Sequence, residues 1–81
     1  MEVFPGISMD SRIRFGKPCL AGTRIDVATV LGGLAGGASV KDLALEYQLS
    51  REQIFAALQY AAHVVAHLPP AVGSVDENPA R

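Results

Sequence analysis

His63 and His67 stand four residues apart, the spacing at which two imidazoles on one face of a helix can share a metal ion. No acidic or thiol ligand lies near them in the sequence, so the pair reads as surface or dimer-face packing and no metal is expected. The single cysteine, Cys19, sits between Pro18 and Leu20 without a neighbouring base, which reads as a small buried apolar side chain rather than a nucleophile. No carboxylate pair or activated nucleophile can be assembled. Gly32-Gly33 and Gly36-Gly37 do not match a phosphate loop. The expectation is a protein that is not an enzyme, carries no cofactor and works by binding a partner.

The residues suited to binding are basic ones. From Ser11 to Ile25 there are four cationic side chains, Arg12, Arg14, Lys17 and Arg24, and no acidic one, while Asp42, Glu46 and Glu52 come later. This segment reads in three ways: a solvated edge, a phosphate contact, or a docking site for an acidic protein. Lys17 and Arg24 are the leading partner-binding candidates because Pro18 and Gly22 hold the backbone beside them in turns; Arg14 joins them as a third, with strand-edge charge as its plainer reading.

The elements that must position these groups follow from turn and capping residues. Gly16, Lys17-Pro18 and Gly22 interrupt the N-terminal third too often for a helix. Arg12-Ile13-Arg14-Phe15 alternates as a half-buried strand does, which predicts a short β arm over about residues 7–25. Asp26 then caps a first helix, roughly Val27 to Ala35, closed by Gly36-Gly37, with Gly32 and Gly33 weakening it by ~1 kcal/mol each. Ser39 with Asp42, and Ser50 with Gln53, are two capping boxes. They start a short second helix over Val40 to Tyr47 and a long third one from Arg51 to about His67. The third helix is expected to bury Ile54, Leu58, Ala61 and Val65.

Only Gln48-Leu49 separates the second and third helices before Ser50, with Leu49 as an inward apolar peg, and so short a link predicts a helix-turn-helix. The fold class expected is mainly α: a three-helix, homeodomain-like helix-turn-helix domain with a short N-terminal β arm, spanning residues 1–68. Residues 69–81, rich in Pro, Gly and acid, form a tail expected to be disordered when unbound. If the third helix enters a major groove, Arg51, Gln53, Ala56 and Gln59 face it and Lys41 supplies a further contact. The alternative is that the helices use this geometry only to pack, since one Arg and two Gln are a thin set of base readers. The third helix is also more apolar than a groove needs. Phe55, Ala62 and Val64 widen its stripe, and a homodimer interface accounts for them.

Size and composition agree with a binding module. The chain has 81 residues, 49% of them hydrophobic and 19% charged, with a net charge of −1, which excludes a protein that coats nucleic acid indiscriminately. A core this small rarely supplies more than ~3 to 5 kcal/mol, which favours self-association. One cysteine and the lack of a secretory signal or a membrane-spanning stretch point to the cytoplasm.

Gly16-Lys17-Pro18, then Gly22-Thr23-Arg24-Ile25, Val27, Gly37, Leu43, Leu49-Ser50 and the run Ile54 with Ala57-Leu58-Gln59-Tyr60-Ala61 together resemble domain of unknown function 433, from residue 7 to about 65. The Gly-Lys-Pro and Gly-Thr-Arg elements are the specific part of the match. The sequence departs from the frequent family form in Asp26, where a Pro often stands, and in a Tyr47-Gln48-Leu49 turn without the common Pro. The resemblance implies a homeodomain-like helical domain behind a β arm. It also implies an antitoxin of the VapB type, which binds and silences a PIN-like RNase toxin and represses its own operon by binding operator DNA. The alternative is a stand-alone helix-turn-helix regulator, or a homodimeric interaction module.

Overall fold

Three short strands and three helices make up the described part of the chain, residues 1–72, in a computed structural model. Strands β1 (Glu2–Phe4), β2 (Ile7–Ser8) and β3 (Cys19–Leu20) form one antiparallel sheet in that order. Helices α1 (Val27–Ala35), α2 (Val40–Tyr47) and α3 (Arg51–Ala66) follow.

Each helix begins where a side chain can accept from free amides of the first turn. Asp26 caps α1 by accepting from the Thr29 amide at 2.8 Å. In α2, Ser39 Oγ accepts from the Asp42 amide at 2.9 Å while the Ser39 amide donates to Asp42 Oδ2 at 3.0 Å. Ser50 and Gln53 repeat the exchange at the start of α3, at 3.0 and 2.8 Å. Gln48 ends α2 in the left-handed conformation, φ 56°. The following Leu49 is buried as the peg of the turn, and its amide donates to Ala44 O at 3.0 Å.

The core is shared between the sheet and all three helices: Ile7 and Leu20 from the strands, Val27 and Val30 from α1, Leu43 from α2, Leu49, and Ile54 and Ala57 from α3. The sheet fits closely against α3. At Gly6, in the β1–β2 turn with φ 81°, a Cβ would lie 2.9 Å from that of Ala56, so the turn admits only glycine without displacement.

The structure corrects three expectations. The fold is a mixed α and β domain rather than a mainly α one, because the sheet has a third strand starting at Glu2, ahead of the expected arm. Ile7 pairs with Phe4 on one side and Leu20 on the other, which brings two strand residues, Ile7 and Leu20, into the core. Arg12-Ile13-Arg14-Phe15 is not a strand. Asp10 Oδ1 accepts from the Arg12 amide at 2.9 Å and Asp10 O from the Ile13 amide at 2.8 Å, turning the chain before any pairing can form. The buried row of α3 is shorter than periodicity predicts. Ile54 and Ala57 are buried and Leu58 and Ala61 half-buried, but Val65 is 67% exposed, because from Ala62 onward every residue of the helix is exposed. Of the tail expected to be disordered, residues 73–81 lie outside the described residues.

Candidate functional site

Three surfaces hold the candidate residues. The first is the turn between β2 and β3, built around one buried carboxylate. Asp26 Oδ1 accepts from the Thr29 amide at 2.8 Å and the Thr29 hydroxyl at 2.7 Å, and Oδ2 accepts from Arg14 Nε and Nη2, both at 3.3 Å. Thr29's hydroxyl and amide, aided by Arg14, hold the Asp26 carboxyl below the usual carboxylate range against the opposing effect of burial. Arg14 is thus tied inward, and Arg12 is tied to Asp10 at 2.8 Å. Lys17 and Arg24 are exposed and form no salt bridge among the described residues.

Between Arg14 and Lys17 the chain makes a tight 3-10 turn in which Arg14 (φ 50°) and Phe15 (φ 59°) are both left-handed. Phe15 is 89% exposed. It escaped the sequence reading because its alternation with arginines imitates a strand; the one local sign was Gly16 directly after it, which also has positive φ, 81°. Cys19, behind this turn, is buried, and its thiol donates to Lys17 O at 3.4 Å. Burial first, then the charge of Asp26, pushes the thiol up, against the lesser pull of Arg14 and Arg24.

The second surface is the start of α3. Arg51 is exposed, with its guanidinium carbon 4.8 Å from the centre of the Phe55 ring, a cation–π pair. Lys41 and Gln59 are exposed as well. Gln53 is half-buried, and its side-chain oxygen is engaged by the Ser50 amide, leaving its amide nitrogen as the group able to reach outward.

The third surface is the C-terminal half of α3. Phe55 and Ala62 are seven residues apart and share a face, but Val64, nine residues from Phe55, is turned half-way round the helix. The structure therefore divides the three dimer candidates between two faces. Val64 lines an apolar groove of about 270 Å³ with Pro18, Val27, Leu31, Tyr60 and Val65. On the neighbouring flank His63 stacks on His67, with ring centres 4.2 Å apart, and on Phe4 at 5.1 Å. His67 Nδ1 lies 2.8 Å from His63 O and donates to it, which leaves the pair tied to the helix and to β1. Among the described residues no group of three His, Cys, Asp or Glu comes together as a metal site, and no helix is long and apolar enough to cross a membrane.

Capped helices packed on a small antiparallel sheet, with a braced cationic turn at one edge, define a compact domain whose distinctive residues lie at its turns. The chain belongs to the family described as protein of unknown function (DUF433), whose model matches residues 7–61. The match takes in the turn, Asp26 and the start of α3. Among solved structures, Rv2018 from Mycobacterium tuberculosis is similar, with 35% sequence identity and a TM-score of 0.59. The similarity covers 64% of this chain and 24% of Rv2018, so this chain corresponds to about a quarter of that protein. No curated protein matches the sequence.

Proposed function

We propose that this chain is an antitoxin-type binding module: it docks on a PIN-like RNase toxin, silences it and, as a homodimer, represses its own operon. The observation that carries the reading is the pairing of exposed cations without ionic partners, Lys17 and Arg24, with a turn that is braced from within by Asp26. Such a turn can meet an acidic surface without first being ordered, which lowers the cost of association. A metal-dependent nuclease offers a cluster of carboxylates of the complementary sign. The antitoxin assignment itself is carried by the family resemblance.

Operator binding has its own support. Read as a helix-turn-helix, α2, the short turn that ends in Ser50 and α3 would present the start of α3 outward to a groove. Lys41, Arg51 and Gln59 are exposed on that pair and Gln53 keeps its amide nitrogen. The groove beside Val64 supplies apolar area for a second copy.

Co-expression tests the reading. With a tag on this chain alone, the product of the adjacent reading frame is expected to be retained, and charge reversal at Lys17 and Arg24 together to release it. Retention undiminished by K17E/R24E removes the electrostatic account. For the rival reading, a stand-alone regulator, the isolated chain must bind its promoter with a steep salt dependence, about −0.9 in log–log slope per phosphate neutralised.

A further inference from the structure

Phe15 is held in the open by a backbone that ordinary side chains avoid. It and Arg14 are consecutive non-glycine residues with left-handed φ, 59° and 50°. Nothing in the core repays this, since Phe15 is 89% exposed. The conformation is nonetheless over-determined by its surroundings. The Gly16 amide donates to Ile13 O at 3.0 Å and the Lys17 amide to Arg14 O at 3.1 Å, while Arg14 is pinned to the buried Asp26. Strain that a structure maintains with several independent contacts, at a position contributing nothing to packing, points to use of the displayed group.

We propose that Phe15 is the apolar anchor of a protein–protein interface, entering a pocket on an acidic partner surface with Lys17 and Arg24 pairing around it. Aromatic side chains are enriched at interfaces, and an anchor surrounded by charge combines burial with orientation. The acidic sign of the partner follows from the run Ser11 to Ile25, which has four basic residues and no acidic one. Two of those cations are neutralised by Asp10 and Asp26, and Lys17 and Arg24 are left for the partner. Single-stranded nucleic acid fits less well: its binding platforms stack successive bases on several aromatics along a basic groove, and this turn offers one aromatic.

The identity of the partner rests on the toxin-binding reading above, so the probe is the purified product of the adjacent reading frame. Titration calorimetry compares the full chain with F15N and F15W. Asparagine tolerates left-handed φ and therefore keeps the turn while removing the ring. The expected result is that F15N melts no lower than the parent but binds about thirtyfold more weakly or worse, the ~2 kcal/mol of an anchor at ~1.4 kcal/mol per tenfold. F15W is expected to stay within about threefold of the parent. No binding by the unmodified chain overturns the toxin reading and the anchor with it. Strong binding that F15N leaves unchanged overturns the anchor alone. A loss in F15N that tracks conversion of a dimer to a monomer in sedimentation, or loss of affinity for a labelled single-stranded RNA, overturns it in favour of that other occupant.

Discussion

Arg14 and Asp26 lie twelve residues apart in sequence and meet with Arg14 Nε and Nη2 both 3.3 Å from Asp26 Oδ2. The other oxygen of the same carboxylate caps α1 through Thr29. One buried side chain thereby starts a helix and reaches the turn that carries Phe15.

Removing that carboxylate should cost stability in two separable parts. Asp26→Ala loses the cap, about 1 kcal/mol, and releases Arg14, whose 45% exposure makes the ion pair worth little more than a few tenths. Asp26→Asn keeps a capping oxygen and should cost only the few tenths of the ion pair. Urea unfolding of the two variants measures both; equal losses would mean that the cap contributes nothing.

Acid should weaken the fold through the same group. Thr29 first, and Arg14 after it, lower the Asp26 carboxyl from its ordinary 3.8, so the folded state binds its proton less readily than the unfolded chain does. Asp42 is lowered as well, chiefly by the Ser39 amide and then its hydroxyl. Their contribution is complete above about pH 5 and declines as pH falls through the folded values. Thermal melts between pH 7 and pH 2 should show Tm falling below about pH 4, with a shallower fall in Asp26→Asn. An identical slope in the variant contradicts the assignment.

Two adjacent glycines of α1 should respond with opposite signs. A Cβ at Gly32 meets nothing within 4 Å, so Gly32→Ala should gain up to about 1 kcal/mol of helix propensity. At Gly33 a Cβ would stand 2.7 Å from Leu43 Cδ2, and Leu43 is buried, so it has no room to withdraw. Overpacking of ~1–3 kcal/mol should then outweigh the same propensity gain. Chemical denaturation of both variants decides it, and stabilisation by Gly33→Ala would show that α1 and α2 approach less closely than described.

The helices were legible because the signals that start them are local. Asp26, Ser39 and Ser50 each act on an amide three residues ahead, and Leu49 needs only a short link to turn inward. The sheet was not legible, because strands of two or three residues carry no measurable period and the pairing of Ile7 with Leu20 joins distant segments. The turn at Phe15 was misread for a related reason. Its Arg14 side chain is held by Asp26, twelve residues downstream, while its polar and apolar alternation copies that of a strand. Lys17 and Arg24 were placed at exposed turns as the sequence implied, but the separation of Val64 from Phe55 needed the course of α3 past the core.

Cys19 should be inert while the domain is folded. Its thiol is buried and pushed up by that burial, so little of it ionises at neutral pH. A thiol reagent at pH 8 should react at least tenfold more slowly with the native chain than in 6 M guanidinium. Equal rates would show the turn to be open.

The most direct test of the central claim is the nuclease activity of the neighbouring product on a fluorescent RNA, titrated with this chain purified on its own. The account predicts that cleavage falls to background at a fixed stoichiometric ratio and is restored when Lys17 and Arg24 are both reversed to Glu. Cleavage that continues undiminished in a large excess of the chain contradicts it.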